Sequence, residues 1–273
     1  MIQDIFPHKL DNQFHPDVKP ESDSIILAFR GRDVLAKDGR FPIVSDFPSD
    51  VTDGLAYLFA LDDARYFYLD ADDEGVQIPS GFEFISVRSF RNIGAEQHDV
   101  FVAFTGFQLA NWYRNNRFCG RCGKRTYLYD KAREIRCECG NVRYPRIVPA
   151  VIVGVTNGDK ILVTKYRTGF AHYALVAGFT EIGETLEETV EREVMEEVGL
   201  RVKNIRYYKS QPWAIVDDIL MGFYCDVDGD DTITMDQEEL KIAEWRSRGD
   251  IILQPDNFSL TNEMMMMFKE GKA

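Results

Sequence analysis

A carboxylate-rich segment between Gly178 and Leu200 constrains this chain more than any other stretch. Within it, Glu193, Glu196 and Glu197 are three and four residues apart, so an α-helix would place them on one face. Three like charges on one helix face repel one another. A folded protein tolerates them when the face is solvated or when a cation lies among them. The spacing therefore predicts either an acidic solvated helix or a divalent-metal site.

The same segment contains signals for both ends of the predicted helix. Thr185 and Glu188 form a capping-box pattern, and Gly199 suits the left-handed residue that ends a helix. An apolar run before the helix, Tyr173 to Ala177, predicts a short buried strand. Apolar residues at four-residue spacing predict the buried stripe of the helix: Leu186, Val190, Val194 and Val198. We therefore expect a strand, a glycine-containing loop and an acidic helix packed by its apolar side.

The spacing of the fixed residues in this segment identifies a known motif. Glu184 follows Gly178 after five intervening residues, and seven more precede the nine-residue sequence from Arg192 to Leu200. At every fixed position this pattern resembles the Nudix box. The resemblance implies a hydrolase that depends on a divalent metal and cleaves nucleoside diphosphates linked to another group. It also implies an α/β fold whose C-terminal Nudix domain, residues 145–273, is an α/β/α sandwich.

Charge and hydropathy argue against several other classes of protein. The 273 residues carry a net charge of −13, which disfavours general nucleic-acid binding because phosphate affinity comes from Lys and Arg. No segment approaches the roughly 18 consecutive apolar residues of a membrane span. The first 14 residues lack the basic and apolar regions of a secretory signal peptide. We therefore expect a cytoplasmic protein without a membrane-spanning segment.

The N-terminal part of the chain shows a different pattern. Short aromatic and β-branched runs, such as Ile25 to Phe29 and Tyr57 to Leu61, are separated by turn residues and predict strands. From about Ala95 to Asn116, apolar residues recur at helical spacing. Residues 1–113 are therefore expected to form a mainly β domain that ends in a helix.

Four of the five cysteines lie close together in the sequence, at Cys119, Cys122, Cys137 and Cys139. Four thiolates close a tetrahedral structural zinc site that leaves no position open for chemistry. The pattern resembles a zinc ribbon over residues 114–144, although its second pair is Cys-x-Cys where two intervening residues are usual. A cluster without zinc remains the alternative. The fifth cysteine, Cys225, lies in an apolar run and is expected to be a buried thiol.

The order of these features narrows the resemblance. The cysteine ribbon, the Tyr-Pro-x-Ile-x-Pro sequence from Tyr144 to Pro149, the Nudix box and Ser210–Trp213 follow one another as in the NADH pyrophosphatase (NAD⁺ diphosphatase) family. The resemblance extends from about Asn111 to the C-terminus. It implies hydrolysis of NAD(H) to nicotinamide mononucleotide and AMP, catalytic Mg²⁺ or Mn²⁺, structural Zn²⁺ and a homodimer. Some members of the family also remove NAD caps from RNA.

The resemblance also implies roles for individual residues. Glu193, Glu196, Glu197 and Glu239, with the Ala177 carbonyl, correspond to the ligands of the catalytic metal; Glu238 is the alternative to Glu239. The residues matching substrate contacts are Tyr144, Phe179, Gln211, Pro212 and Trp213. From the chemistry, Glu197 is expected to be the general base, with Glu196 second. The planar fork of Arg192 suits ion pairing that orients the glutamates.

The chain departs from the family pattern directly after Trp213. The family motif continues with an aromatic residue and a serine, and both are absent from Ala214–Asp218. NADH, NAD⁺, ADP-ribose and NAD-capped RNA therefore all remain candidate substrates. A remote alternative of another class is a non-catalytic zinc-ribbon protein that binds RNA or a protein partner. The complete Nudix box and the negative net charge favour the enzyme.

Overall fold

The computed structural model describes residues 1–48, 50–72 and 75–273. Internal contacts divide the chain into two compact units. The N-terminal unit comprises Gln3–Arg146 and Ala214–Asp217, and the C-terminal unit comprises Met1–Ile2, Ile147–Trp213 and Asp218–Ala273. In the described part of the chain, no helix has both the length and the apolar character needed to cross a bilayer.

The N-terminal unit contains a six-stranded sheet and two helices. Its strands are β1 (Leu10–Asp11), β2 (Ile25–Arg30), β3 (Asp33–Ala36), β4 (Ala56–Leu61), β5 (Ala64–Asp70) and β6 (Glu83–Ser86). They are ordered β1-β4-β5-β2-β3-β6. The helices are α1 (Val87–Phe90) and α2 (Gln97–Asn115). The expected β-rich character of this region is confirmed, and α2 follows its last strand.

Helix α2 packs directly on the sheet. The ring centroids of Phe107 and Phe29 are 5.8 Å apart. A Cβ atom at Gly106 would overlap the side chain of Leu27. The glycine that interrupts the helical pattern therefore allows close approach of helix and strand.

A small three-stranded sheet carries the cysteines. Its strands are β7 (Tyr127–Leu128), β8 (Ile135–Arg136) and β9 (Val142–Arg143), in that order and antiparallel. The short strands leave most of the segment in tight turns, and Gly123 and Gly140 adopt positive φ angles of 73° and 83°. This is the architecture expected for a ribbon.

The C-terminal unit is built on a mixed sheet with two helices. Its strands are β10 (Val148–Asn157), β11 (Lys160–Tyr166), β12 (Val176–Phe179), β13 (Val202–Trp213), β14 (Asp218–Val227) and β15 (Leu240–Ser247). They are ordered β13-β14-β10-β11-β15, with β12 also paired to β10. Strands β10 and β14 are parallel, whereas the other pairs are antiparallel. The helices are α3 (Leu186–Val198) and α4 (Leu260–Lys269).

Each face of this sheet has its own hydrophobic core. On one face Val190, Val194 and Val198 of α3 are fully buried in a cluster with Val151 of β10. On the opposite face the buried residues of α4 pack against Ile152 and Ile161: Leu260, Met264, Met265 and Phe268. The prediction of an α/β/α sandwich is therefore confirmed. Two of the four consecutive methionines are core residues, and Cys225 is fully buried, as expected.

The strand before α3 differs from the prediction. Regular pairing begins at Val176 and continues to Phe179, later than the expected Tyr173 to Ala177. Ala174 forms a single bridge to Thr164 of β11, after which the chain crosses to pair with β10. The Tyr173 hydroxyl donates to Glu244 at 2.9 Å, so this tyrosine makes a polar side-chain contact before the strand begins.

Candidate active site

Helix α3 begins and ends where local chemistry requires. The Thr185 hydroxyl accepts from the Glu188 backbone N–H at 3.2 Å, and the Glu188 carboxylate accepts from the Thr185 N–H at 2.7 Å. This reciprocal capping box satisfies backbone donors of the first turn. Gly199 ends the helix with φ 71°. The predicted caps are confirmed, and the glutamates are carried on a helix anchored at both ends and along its apolar side.

The glycine that opens the Nudix box makes room for a carboxylate. A Cβ atom on Gly178 would overlap the carboxyl group of Glu193, so the Glu193 side chain lies directly over the glycine backbone. Burial raises the pKa of Glu193, and Arg192 acts in the opposite direction. Gly178 is therefore required by the close approach of β12 and α3, because its own backbone conformation does not need a glycine.

Arg192 binds three carboxylates and one carbonyl. Its Nε and Nη2 donate to Glu184 at 2.6 and 2.9 Å, and Nη1 donates to Glu193 at 2.8 Å and Glu196 at 3.0 Å. Nη2 also donates to the carbonyl of Phe179 at 2.8 Å. Side-chain hydrogen bonds from Arg192 are the main reason that the pKa of Glu184 falls to about 2. This geometry agrees with the expectation that Arg192 orients the glutamates.

Glu197 differs from its neighbours. Its side chain is only 2% exposed, and neither carboxylate oxygen makes a hydrogen bond of ordinary geometry. The pKa of Glu197 is raised to about 8, mainly by burial and also by the negative charges of Glu193, Glu239 and Asp236, while the backbone N–H of Ala177 acts in the opposite direction. A buried carboxylate without a cationic partner is costly in a folded protein.

Tyr166 and Asp236, from distant parts of the sequence, also belong to this cluster, together with Glu239. The charge of Glu239 raises the pKa of Glu197, of Glu193 and of the Tyr166 hydroxyl, and for Tyr166 burial is the larger cause. The backbone N–H of Asp236 donates to the Glu197 carbonyl at 2.8 Å. Glu239 is expected from the sequence, whereas Tyr166 and Asp236 are not. No local pattern marks either one, because β11 and the segment before β15 meet α3 only in the folded chain.

These residues fit a divalent cation. Mg²⁺ and Mn²⁺ take oxygen ligands, chiefly carboxylates and carbonyls. The unsatisfied Glu197 carboxylate lies among the like charges of Glu193 and Glu239, where a cation would relieve both desolvation and repulsion. Glu196 is 59% exposed and bonded to Arg192. Of the four glutamates, Glu197 is therefore the one whose ionised form a cation would stabilise most.

The four cysteines of the ribbon lie close enough together to bind one metal ion. Among the described residues, its four cysteines form the one group of three or more metal-binding side chains whose ligand atoms all lie within 4.8 Å of one another. The Sγ atoms of Cys119 and Cys139 are 3.7 Å apart, and those of Cys122 and Cys137 are 3.5 Å apart. Zn–S bonds of about 2.3 Å in a tetrahedron require S···S separations of about 3.8 Å. The Cys-x-Cys half therefore fits zinc despite its unusual spacing.

Hydrogen bonds also favour a thiolate in the ribbon. The Sγ of Cys119 accepts from the backbone N–H of Arg121 at 3.4 Å and from Asn141 Nδ2 at 3.3 Å. The Arg121 hydrogen bond contributes most to lowering the pKa of Cys119 to about 6, and Asn141 adds to the effect. Such outer contacts orient thiolate ligands and tune a metal site.

The predicted substrate contacts have different exposures. Tyr144 in the N-terminal unit and Phe179 in the C-terminal unit are 66% and 52% exposed, as an aromatic group that stacks on a base should be. Pro212 is exposed and Trp213 is half-buried at the end of β13. These four residues have accessible surface for a ligand.

Gln211, a predicted substrate contact, also has a structural role. It is fully buried; its Nε2 donates to the Phe258 carbonyl at 2.7 Å, and its Oε1 accepts from the Leu260 N–H at 2.7 Å. Leu260 begins α4, whose first N–H groups have no partner within the helix. The Gln211 amide therefore holds α4 against β13, and its role as a substrate contact stays a prediction.

The turn that departs from the family motif is well packed. Ala214 and Ile215 are buried, whereas Val216 is 44% exposed. Asp217 has a positive φ of 65°, and its carboxylate accepts from Arg146 Nε at 3.0 Å and Nη2 at 2.5 Å. A forked arginine contact fixes this carboxylate firmly. The turn therefore offers a ligand one exposed apolar side chain, Val216, and no aromatic ring.

The chain is similar to several known proteins. The family model described as NUDIX domain matches residues 145–266. A NAD-capped RNA hydrolase NudC from Klebsiella pneumoniae is 41% identical over 158 residues, covering 56% of this chain and 60% of the relative. The NAD-capped RNA hydrolase NudC of Vibrio atlanticus is 34% identical over 224 residues, covering 79% and 78%. A solved NUDIX hydrolase from Nitrosomonas europaea is 23% identical, with a TM-score of 0.49, over 56% of this chain and 91% of its own.

The sandwich, the capped acidic helix and the matching family model define a Nudix hydrolase domain. Because the Vibrio match spans more than two thirds of both chains, this chain belongs to the NADH pyrophosphatase family of Nudix hydrolases, which includes the NudC proteins. The chain spans about 60% of the length of the first relatives that it matches.

Proposed function

We propose that the chain hydrolyses the pyrophosphate bond of NAD(H) to nicotinamide mononucleotide and AMP. The observation that carries this proposal is the buried, unsatisfied Glu197 carboxylate among other carboxylates on a Nudix helix. Family membership supports the dinucleotide substrate, and hydrolysis of NAD-capped RNA, the activity for which the relatives are named, is the alternative. ADP-ribose is a further candidate because the turn after Trp213 lacks the family's aromatic residue and serine.

We assign the catalytic metal, Mg²⁺ or Mn²⁺, to Glu193, Glu196, Glu197, Glu239 and the Ala177 carbonyl. When bound, such an ion neutralises the diphosphate and lowers the pKa of water. Arg192 orients the glutamates through the contacts described above. Tyr144, Phe179, Pro212 and Trp213 are proposed to bind the nucleoside groups.

Glu197 is the proposed general base. It accepts the proton of the water that attacks phosphorus, while the bond from that phosphorus to the bridging oxygen breaks and the bridging oxygen leaves with the second phosphate. Glu196 is less suited to this step because Arg192 Nη1 donates to its carboxylate at 3.0 Å and so occupies an oxygen that would take the proton. Neither oxygen of Glu197 is occupied by an arginine, so its ionised carboxylate is available to take this proton.

The test is hydrolysis of NADH with Mg²⁺ or Mn²⁺, followed by chromatography for AMP. We expect AMP from the unmodified chain and a loss of about 100-fold or more for Glu197→Gln. Glu191→Gln, on an exposed position of α3, is the matched control and should retain activity. Absence of AMP from NADH, NAD⁺ and ADP-ribose with either metal would overturn the proposal.

We further propose that the four cysteines hold one structural Zn²⁺, that the chain forms a homodimer and that it is cytoplasmic. The proposed domains are residues 1–113, 114–144 and 145–273. Elemental analysis should find one zinc per chain, and sedimentation equilibrium should give twice the 31.4 kDa chain mass. A fluorescent fusion in living cells tests the location.

A further inference from the structure

A pocket of about 330 Å³ lies in the C-terminal unit, where strand β11 ends and strand β15 begins. Three cationic side chains contribute to its lining: Lys165, Arg167 and Lys241. Phe170, which is 38% exposed, adds an aromatic surface. No carboxylate belongs to this lining among the residues that the structure describes. In a chain with 45 acidic and 32 basic residues, such a purely cationic pocket needs an explanation.

The three cations lack ion-pair partners. In the described ranges, none of them has a carboxylate oxygen within 4 Å, whereas most other arginines of the C-terminal unit are paired. Arg167 Nε donates only to the Gln237 carbonyl at 2.9 Å. The Lys165 ammonium lies over the Tyr173 ring, 4.2 Å from its centroid. The charge of Lys165 contributes to lowering the pKa of Glu244, but the ion pair of Glu244 is with Arg246, at 2.7 Å. The pocket therefore keeps its positive charge.

The pocket adjoins the carboxylate cluster of the active site. Tyr166 lines the pocket, and its hydroxyl also experiences the charges of Glu197, Glu239 and Glu193. The backbone N–H of Arg167 donates to the Glu239 carbonyl at 2.9 Å. The segment that carries Glu239 therefore borders the pocket at Arg167, whereas Lys165 lies with Tyr173 on the opposite face of the sheet from Tyr166.

We propose that this pocket binds an additional phosphate group of the substrate, beyond the pyrophosphate that is cleaved. The inference rests on the proposed function and sharpens its substrate class. Without ion-pair partners, a lysine attracts phosphate as a point charge and an arginine binds it through a planar fork of N–H donors. Two sources share this chemistry. One is a phosphodiester on the 3′ oxygen of the adenosine, as in a capped RNA, and the other is a 2′-phosphate, as in NADP(H).

The binding test compares AMP with adenosine 3′,5′-bisphosphate and adenosine 2′,5′-bisphosphate by calorimetry, on the full chain with Mg²⁺ at about 20 mM salt, where charge contacts are weakly screened. We expect one bisphosphate to bind about tenfold more tightly than AMP. Preference for the 3′ isomer identifies the RNA-like source, and preference for the 2′ isomer identifies the NADP-like source. Equal binding of all three ligands overturns the proposal.

Variants assign the effect to the pocket. Lys241→Gln should reduce the preference for the bisphosphate over AMP about threefold, and Lys241→Glu should reduce it further. Lys160→Gln, an exposed lysine at the opposite end of β11, is the matched control and should keep the full preference. A preference that survives Lys241→Glu, or that Lys160→Gln reduces equally, refutes the assignment.

The kinetic readout is the ratio of kcat/KM for an NAD-capped oligonucleotide, or for NADPH, to kcat/KM for NADH in the same preparation. Lys241→Gln should lower this ratio, and the salt dependence of the ratio should weaken with it. Failure of NADH hydrolysis would refute the proposed function alone, because bisphosphate binding remains measurable. Loss of the bisphosphate preference with intact hydrolysis would refute the pocket alone.

Discussion

Replacing Glu197 with glutamine should make the metal-free protein more stable at high pH. Burial raises the pKa of Glu197 from 4.5 to about 8 in the folded chain. Between these values the folded state holds a proton that the unfolded state has released, so stability falls as pH rises through this window and levels off above about 8. At about 1.4 kcal/mol for each pH unit, the interval amounts to at most about 5 kcal/mol.

Glutamine has the same shape and remains neutral, so it avoids this loss. In EDTA, Glu197→Gln and the unmodified chain should melt at similar temperatures near pH 5. At pH 8.5 the variant should melt about 10 °C higher, as several kcal/mol imply for a domain of this size. The assay is thermal unfolding followed by circular dichroism from pH 5 to pH 9. Glu191→Gln controls for the loss of one charge on α3.

Saturating Mg²⁺ or Mn²⁺ should reverse this order, because the unmodified chain gains a bound cation and the variant loses a charged ligand. Parallel melting curves for Glu197→Gln and the unmodified chain over the whole pH range would refute the reasoning. They would mean that the Glu197 carboxylate is solvated or paired in solution.

Three other substitutions test separate parts of the structure. Gly178→Ala should cost about 1–3 kcal/mol in urea unfolding and lower kcat sharply, because a methyl group would displace the Glu193 carboxylate; unchanged kinetics would contradict this placement. Gln211→Leu should cost about 1–3 kcal/mol by leaving backbone groups at α4 unsatisfied, while a rise in KM without loss of stability would instead indicate substrate contact. Cys137→Ser should reduce zinc well below one per chain in elemental analysis; full zinc content would exclude a four-cysteine site.

Local sequence signals were sufficient for α3 because each one acts within a few residues. The capping box joins Thr185 to Glu188, and Gly199 needs only its own left-handed conformation. The apolar stripe was predicted equally well, except that Leu186 at the first turn is half-buried because it lies at the exposed end of the helix. Helix type, helix bounds and the shared face of the glutamates could therefore be predicted.

Contacts between distant segments could not be predicted in the same way. Tyr166 comes close enough for the charges of the glutamates to affect it because β11 lies beside β10 in the sheet. This strand order depends on how distant segments pair, which no local pattern shows. Gln211 has a structural role that its motif did not predict. The residue matches a substrate motif, yet its amide satisfies two backbone groups 47 and 49 positions away. A motif identifies a residue type but does not say which of several hydrogen-bonding needs that residue meets.

The turn after Trp213 lacks the aromatic residue and the serine of the family motif. Its buried members, Ala214 and Ile215, contribute to packing, and Asp217 is held by two hydrogen bonds to Arg146. The turn is therefore a fixed structure that has exchanged an aromatic ring and a hydroxyl for the single exposed side chain of Val216. An isopropyl group can add apolar contact but can neither stack on a nicotinamide ring nor donate a hydrogen bond to it. On the proposed function, discrimination between substrates that differ at nicotinamide should consequently be weak, and the proposed phosphate pocket of Lys165, Arg167 and Lys241 should distinguish dinucleotides more strongly than this turn.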